Sequence, residues 1–546
     1  MGNERTARDE GAKVYLVGGG IASLAAAAFL IRDADIPGRN ITILEQCERL
    51  GGSLDGGGSP QEGYVIRGER ILENKYVCTY DLFSSIPSLS GGKTVTQEIF
   101  GWNQVIRHSS KSRLVRDGHR IDAPEYGLTE KQILTLERLA AEPEEMLGAS
   151  SLSDQFDPSF FETNFWIMWS TTFSFQPWHS AAEFKRYLRR FAHIIVGFNR
   201  LHGVMHTVYE KSDSMIRPLL KWLGEHGVQF ELNTRVTDLA FHEEAAAKTV
   251  ERMLYARDGI SGEIAIGRDD YVIVTLGSMA EASSLGSMDS APALNGKSSG
   301  GAWAFWEKIA SGRPEFGRPS VFADHIDQSK WVSFTTSLRD SPFFRIAREV
   351  TGNVPGVGGL ITFADSTWLA SILLPHQPHF LGQPRDVDVF WGYGLFADRP
   401  GNFVKKPMSA CTGREIMSEI LGHLQSEPDT QGILKRSICI PCMMPFITSQ
   451  FLPREKGDRP QVVPPGWKNL AFTGQFCELP DDVVFTLEYS IRSAQTAVYS
   501  LFRLKREPPA IYKEPYDSGI LRRAFRTSGD LHEVSGLSGQ PIESTT

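Results

Sequence analysis

Three consecutive glycines, Gly18, Gly19 and Gly20, constrain the fold of this 546-residue chain more than any other feature. The apolar run at residues 13–17 before them predicts a strand, and the Ala/Leu-rich run at residues 21–31 after them predicts a helix. A second apolar run at residues 41–45 predicts another strand. This order describes a βαβ unit, the first element of a doubly wound α/β sheet.

The glycine turn predicts a dinucleotide site. Gly18 permits the tight turn, and Gly20 lets the backbone approach a pyrophosphate that rests on the helix N-terminus at Ile21 and Ala22. Glu45 ends the next predicted strand and would accept hydrogen bonds from ribose hydroxyls. The third glycine of the usual fingerprint is replaced by Ser23, which is small enough for close helix–strand packing.

Two further segments favour FAD over NAD. Gly52 and Ser53 belong to a second glycine-rich loop shortly after the acid, where flavoproteins of this fold often place a glycine pair near the phosphates. Near the other end, Gly474 and Phe476 follow a predicted strand and precede a helix, a position that closes over the pyrophosphate or the flavin. Asp482 is a further candidate cofactor contact, with a solvated turn as the alternative.

Composition excludes several classes of protein. The net charge of -8 and the pI of about 6.0 argue against a nucleic-acid binder, which would carry a basic face. Six cysteines do not make a disulfide scaffold, and Cys439 and Cys442 lack the second pair that a zinc site needs, so no metal is expected. With neither a signal peptide nor an apolar run of membrane-spanning length, a cytoplasmic protein is expected, and attachment to a membrane surface stays open.

The predicted strands near residues 13, 41, 271 and 469 would share one sheet, which makes the cofactor domain discontinuous. We expect a FAD-binding domain formed by residues 13–95, about 225–300 and 465–505. Residues 96–224 and 301–464 would form the inserted α+β substrate region. Residues 1–12 and the end of the C-terminal segment 506–546 are predicted to be disordered. Further runs predict helices at residues 130–141 and 181–195, and strand signals return at 319–336 and 357–396.

Several sequence blocks in one order resemble the fatty acid (oleate) hydratases, once called myosin-cross-reactive antigens. The blocks span residues 13–505 and include Arg67-Gly68-Glu69-Arg70, Glu73-Asn74-x-Tyr76-x-Cys78, Phe175-x-x-Trp178-His179-Ser180 and Pro480-Asp481-Asp482-x-x-Phe485-Thr486. The resemblance implies FAD-dependent addition of water to the cis double bond of a free unsaturated fatty acid, with no net redox change. Family members are typically most active with reduced flavin, FADH2. The implied fold is a Rossmann-like FAD domain, an inserted substrate domain and a helical C-terminal region that meets the membrane.

The resemblance also assigns the catalytic groups, with one departure. A Tyr on the helix after the Trp-His-Ser block is the proton donor of the family, and Tyr187 matches it. The usual loop, Arg-Gly-Gly-Arg-Glu, ends in the Glu that activates water, but Ile71 stands in that place here. Glu69 replaces the second Gly and is favoured as the substitute base over Glu73; backbone carbonyls that hold the water are a third option.

The same loop carries Arg67, Gly68 and Arg70, which the resemblance places at the cofactor. Lys211 stands where a family Gln contacts the fatty-acid head group, and a lysine is a suitable point charge for a carboxylate.

His379 matches a family head-group residue, while Leu373 appears at a position that carries a Thr in the family. Ile71 and Leu373 are therefore expected beside the substrate, in a divergent branch with altered head-group recognition or chain length. A homodimer or a monomer is expected.

Two other functions compete with hydration. A flavin oxidoreductase of the amine oxidase or desaturase type shares the early glycine blocks, although it lacks the later ones. The loss of the Glu at Ile71 keeps open a non-catalytic lipid-binding flavoprotein.

Overall fold

The computed structural model describes residues 11–122, 124–244, 247–297, 301–425, 430–513 and Phe525. The expected disordered lead-in at residues 1–12 and the disordered end of the C-terminal segment lie almost entirely outside these described residues.

A five-stranded parallel sheet forms the base of the fold. Its strands are contributed by distant parts of the chain, in the spatial order Leu470–Thr473, Tyr271–Thr275, Val14–Val17, Ile41–Leu44 and Gln229–Glu231. Val14–Val17, the strand that precedes the glycine turn, is central in the sheet and fully buried. The predicted joining of the four segments near residues 13, 41, 271 and 469 is confirmed, as is the α/β class with a Rossmann-like sheet.

Helices cover this sheet because a parallel sheet must be buried on both faces. The helix Ile21–Ala34 is rich in alanine and almost entirely buried, which lets it pack closely on the strands. Leu487–Leu501 begins at Thr486, whose side chain accepts a hydrogen bond from the backbone N–H of Tyr489, and it packs against the first helix. The helix Arg217–Glu225 precedes the edge strand Gln229–Glu231.

In sequence, an antiparallel sheet of three strands lies between the edge strand Gln229–Glu231 and the strand Tyr271–Thr275. Its strands are Thr234–Glu244, Ala247–Arg257 and Ile260–Ala265.

A second, mixed sheet has eight strands, seven of them from the segments predicted for the substrate region and one, Ser284–Leu285, from the segment 225–300 predicted for the cofactor domain. Its strands in spatial order are Ser284–Leu285, Ser437–Met444, Trp331–Arg339, Val387–Gly394, Ala370–Leu373, Leu360–Phe363, Ser112–Arg116 and His119–Asp122. The strands predicted within residues 357–396 are present. The prediction of strands from residue 319 onward is wrong up to Ser329, because short helices at Ser320–Ala323 and Ile326–Ser329 come first.

Two predicted helices have different outcomes. Glu130–Ala141 forms as predicted, because Thr129 and Gln132 make reciprocal side-chain to backbone hydrogen bonds that fix its first turn. The helix predicted at residues 181–195 ends at Arg190, where Phe191 leaves the helical conformation, and Ala192–Ile195 forms a separate short helix.

The remaining elements connect these layers. Short strand pairs are Gly57–Ser59 with Gly63–Val65 and Leu72–Glu73 with Val204–Met205. Further helices are Val77–Phe83, Val95–Val105, Glu144–Leu147, Asn164–Phe173, Ala302–Ala310, Phe343–Thr351, Gly413–His423 and Thr430–Lys435. Among the described residues, none of the helices combines the length and the apolar character that crossing a membrane requires.

Candidate active site

A cavity of about 430 Å³ lies where the glycine turn meets the carboxyl ends of the parallel strands. This edge of a doubly wound sheet is the usual ligand site of such folds. Ten of the predicted cofactor contacts lie in its wall: Gly18, Gly20, Ile21, Ala22, Glu45, Gly52, Ser53, Arg67, Gly474 and Phe476.

The two glycine loops lie against each other at this cavity. Gly51 donates a backbone hydrogen bond to the Gly19 carbonyl at 2.8 Å, and a Cβ on Gly52 would stand 3.0 Å from the Cα of Gly20. Gly18 has a φ of 95°, which glycine adopts without strain. The helix that starts at Ile21 has no side-chain cap, so its first N–H groups stay available to an anion. This cradle fits the pyrophosphate of a dinucleotide.

Charged side chains fix the two loops. The Glu45 carboxylate accepts hydrogen bonds from the backbone N–H groups of Gly19 at 2.5 Å and Cys47 at 2.8 Å, at the end of its strand. Arg67 pairs with Asp55 at 2.9 Å and donates to the Gly52 carbonyl at 2.5 Å. Arg67 thereby fixes the second glycine loop.

Three predicted cofactor contacts lie away from the wall of this cavity. Asp482 is buried, lies 3.0 Å from Arg492 and does not line this cavity, so its contact with the cofactor stays a prediction. Gly68 packs against Arg70, because a Cβ at Gly68 would stand 2.7 Å from an Arg70 Nη. The Arg70 Nη2 lies 3.2 Å from the sulfur of Met279, which lines the cavity, so Arg70 stands directly behind this wall.

Three smaller cavities of about 60, 20 and 60 Å³ share Glu69 as a common wall residue. They therefore adjoin one another, and we call them the channel. The middle part is apolar, with Trp331, Trp391, Leu360 and Phe485 among its lining residues. Such a narrow, largely apolar passage suits an aliphatic chain.

One end of the channel, the polar end, contains Lys211, His379, His108, His206 and His376. Burial lowers the pKa of His108 to about 4 and the pKa of His206 well below its ordinary value. These two imidazoles are therefore neutral at pH 7. The predicted substrate contacts Lys211, His379 and Leu373 all line this end, and Ile71 lines the apolar middle.

Glu69 and Lys211 form a buried ion pair at the polar end. One Glu69 oxygen, Oε1, accepts a hydrogen bond from the Lys211 ammonium. The other, Oε2, has no hydrogen-bond partner among the described residues and lies 3.8 Å from His379 Nε2. Burial by itself would raise the pKa of Glu69, but Lys211 and His379 hold it below its usual range. Glu69 is therefore an anion at pH 7.

Glu210 is a second carboxyl beside this pair, and the sequence analysis did not select it. Burial, followed by the negative charge of Glu69, raises the pKa of Glu210 to about 8. It is therefore mostly protonated at pH 7. In the sequence, only its position directly before Lys211 could have marked Glu210 as a candidate site residue.

Tyr187 lines the opposite end of the channel, the inner end, together with Phe173 and Phe191. Its hydroxyl donates to the Val484 carbonyl at 2.5 Å. Burial raises the pKa of the phenol well above its ordinary value. Tyr187 is therefore fully protonated at neutral pH, as a proton donor must be.

Arg70 also lines the inner end, and it separates the channel from the large cavity. Its guanidinium stacks on the Phe485 ring at 4.5 Å and donates to the Glu69 backbone carbonyl at 3.0 Å. Burial lowers its pKa to about 10, so it stays cationic. Among the described residues, no carboxylate forms an ion pair with it.

Glu73 has little capacity left to bind water. Its two oxygens contact Arg190 at 3.2 Å and His193 at 3.0 Å, and they accept from the backbone N–H of Lys75 at 2.9 Å. Of the two candidate bases, Glu69 is the one with a carboxylate oxygen, Oε2, that has no hydrogen-bond partner among the described residues.

Two predicted roles are in conflict in this geometry. Lys211 was predicted to bind the head group and Glu69 to activate water, yet the two side chains touch. A double bond in the middle of a fatty acid is separated from its carboxylate by many carbon–carbon bonds of about 1.5 Å each. The Glu69 carboxylate, as placed here, cannot serve such a double bond while Lys211 holds the substrate's carboxylate.

The cysteine pair makes no reactive site. Cys439 and Cys442 are buried in the strand Ser437–Met444, and a separation of three residues directs their side chains to opposite faces. No group of three or more His, Cys, Asp or Glu side chains in the described part of the chain is arranged to hold a metal ion.

Known proteins resemble this chain in both sequence and fold. An oleate hydratase of Streptococcus pyogenes serotype M49 (strain NZ131) is 39% identical over 535 residues, covering 96% of this chain and 90% of that protein. A linoleate hydratase of Lactiplantibacillus plantarum is 32% identical over 532 residues, covering 89% of this chain and 93% of that protein.

Among solved structures, the cyclohexylamine oxidase of Brevibacterium oxydans IH-35A matches with a TM-score of 0.53 at 14% identity, over 90% of this chain and 99% of that chain. At this identity the likeness concerns the fold alone. The MCRA family model matches residues 11–499. The chain therefore belongs to the MCRA family.

Proposed function

We propose that this protein binds FAD in the large cavity and adds water to the double bond of a free unsaturated fatty acid in the channel. The observation that carries the proposal is the 39% identity to an oleate hydratase, which extends over 96% of the chain. The geometry supports it, because a dinucleotide cradle and an apolar channel share the wall at Arg70. A cytoplasmic location, peripheral membrane contact and a monomeric or dimeric state stay predictions.

The charge of the channel favours an anionic substrate. Lys211 and Arg70 are cationic and Glu69 is anionic, while Glu210 is mostly protonated. His379 beside Glu69 adds no negative charge, so this buried group carries at least one excess positive charge. Because an uncompensated buried charge is costly, a ligand that brings one carboxylate is preferred over a neutral one.

Hydration joins a proton to one alkene carbon and a hydroxyl to the other. We assign proton delivery to the Tyr187 hydroxyl, which must first leave the Val484 carbonyl. The attacking water loses a proton, which restores the phenol, so the reaction needs no oxidant or reductant. The apolar middle of the channel excludes bulk water, which would otherwise compete for the cation-like transition state.

In this proposal the glycine turns, Glu45 and Arg67 hold the dinucleotide part of FAD. When bound in its reduced form, FAD would supply an electron-rich isoalloxazine that stabilises developing positive charge. Arg70 fixes the wall between the large cavity and the channel through its contacts with Met279 and Phe485.

The test is incubation of purified protein with oleate, FAD and a reductant, in water enriched in ¹⁸O. The expected product is a hydroxystearate that carries one ¹⁸O, formed without consumption of reductant in proportion to product. Hydrogen peroxide or a second double bond would instead indicate a flavin oxidoreductase. No product from oleate, linoleate and shorter unsaturated acids would indicate a lipid-binding flavoprotein.

A further inference from the structure

Two buried cations stand on either side of one buried carboxylate in the channel. Lys211 contacts the Glu69 carboxylate at the polar end, and their side chains are 2% and 6% exposed. Arg70 lies at the inner end, and its hydrogen bond to Glu69 goes to the backbone carbonyl rather than to the carboxylate. Glu69 borders all three parts of the channel. Its side chain is therefore placed between two alternative positive partners.

A substrate carboxylate must compete with Glu69 for Lys211. Among the described residues that line the polar end, Lys211 is the ammonium, and His108, His206 and His376 have lowered pKa values and are neutral at pH 7. The remaining imidazole, His379, already lies 3.8 Å from Glu69 Oε2. Two carboxylates and one buried ammonium would leave one negative charge without a partner, which is costly in a dry site.

From this arrangement we propose that the substrate carboxylate displaces Glu69 from Lys211, and that the released Glu69 turns to Arg70 at the inner end. After the exchange, each buried cation has one carboxylate partner, and no proton needs to be taken up. The Glu69 carboxylate then lies in the part of the channel that Tyr187 lines. There it can accept a hydrogen bond from the water that attacks the double bond.

This exchange removes the conflict between the two predicted roles. Lys211 binds the head group and Glu69 acts on water, but the two contacts occur in sequence rather than at once. The exchange also makes Glu69 a specificity-determining residue, because a neutral ester has no charge with which to displace it. The consequence for turnover rests on the proposed function, whereas the consequence for binding does not.

The binding test uses decanoate, a saturated carboxylate that cannot be hydrated, titrated into the FAD-loaded protein by calorimetry. Glu69→Gln removes the competitor and is expected to tighten decanoate binding at least fivefold. Lys211→Met removes the cation and is expected to weaken it at least tenfold. Lys406→Met is the matched control, since Lys406 pairs with Glu415 at 2.9 Å near the surface and lines none of the four cavities. It should bind decanoate within twofold of the unmodified protein.

An unchanged or weaker affinity of Glu69→Gln for decanoate would overturn the proposal. Bound flavin and a native circular dichroism spectrum establish that each variant is folded. If Lys211→Met does not fold, Glu69→Gln alone still decides between the outcomes.

The turnover test compares oleate with methyl oleate, which share the chain and the double bond and differ in head-group charge. The unmodified protein is expected to hydrate the ester at least tenfold more slowly at saturation. In Lys211→Met the substrate carboxylate has no ammonium to bind, so the ratio of the oleate rate to the ester rate should fall at least threefold. Equal rates with acid and ester in the unmodified protein, or an unchanged ratio in Lys211→Met, would refute the exchange.

The two proposals fail in different ways. If neither substrate is hydrated by the unmodified protein, the proposed function is wrong, and the decanoate titration still tests the exchange. If oleate is hydrated but Glu69→Gln does not tighten decanoate, the function stands and the exchange is wrong.

Discussion

Lys211→Met should destabilise the protein by about 3–5 kcal/mol at pH 7, the usual cost of removing one partner from a buried ion pair. Both side chains are nearly inaccessible to water, so solvent cannot replace the lost ammonium. A second estimate comes from protonating Glu69 in the variant. Starting from the ordinary pKa of 4.5, neutralising a carboxyl at pH 7 costs about 3.4 kcal/mol. The two estimates agree.

The sign of the pH dependence follows from the pKa of Glu69. In the unmodified protein this pKa lies below its usual range, so the ion pair stabilises the fold above about pH 4.5. Without Lys211, burial raises the pKa of Glu69, so folding must protonate a carboxyl that is charged in the unfolded chain. This cost is present only above about pH 4.5, where the unfolded Glu69 is charged. The difference between the two proteins should therefore shrink by about 2–3 kcal/mol between pH 7 and pH 5.

Urea unfolding followed by circular dichroism at the two pH values measures this difference through the midpoints. The double variant Glu69→Gln/Lys211→Met should recover most of the loss, because it removes both charges. A loss below about 1 kcal/mol at pH 7, an equal loss at both pH values, or no recovery in the double variant would refute the reasoning.

The other predictions concern catalysis, cofactor binding and a buried acid. Tyr187→Phe should lower oleate turnover at least tenfold with FAD still bound; near-normal turnover would place the donor elsewhere. Gly20→Val should give colourless protein, because its side chain would enter the phosphate cradle, whereas Gly224→Ala, on an open helix surface, should keep its flavin absorbance. Glu210→Gln should raise the urea midpoint at pH 8.5 but not at pH 4. In the parent, the pKa of Glu210 is raised to about 8, so stability falls as pH rises from about 4.5 to 8, by up to about 5 kcal/mol. A midpoint that is unaffected at pH 8.5 would contradict this.

Much of the fold could be predicted because its signals are local. The run Val14–Val17, the glycines after it and the helix Ile21–Ala34 form one continuous pattern, and parallel pairing with Ile41–Leu44 follows from the βαβ rule. The helix Glu130–Ala141 carries its own start signal in Thr129 and Gln132. Where the local signal was weak, as at residues 319–329, short helices replaced the predicted strands.

In the candidate site, too, the features with local signals could be predicted and the long-range contacts could not. The cavity-lining residues near Gly18, Gly52 and Gly474 could be predicted to lie together, because turns and strand ends place them without reference to distant residues. The position of Asp482 beside Arg492 could not be predicted, since Arg492 lies on a helix whose orientation depends on packing.

The sequence by itself determined that a parallel sheet ends in a glycine-lined cradle, since glycine conformations and apolar periodicity are properties of short segments. Only the tertiary structure decided that Glu69 meets Lys211, which is 142 positions away, and that Arg70 has no carboxylate partner among the described residues. Electrostatic partners are chosen by distance and burial in space, and neither quantity is written in the order of residues along the chain.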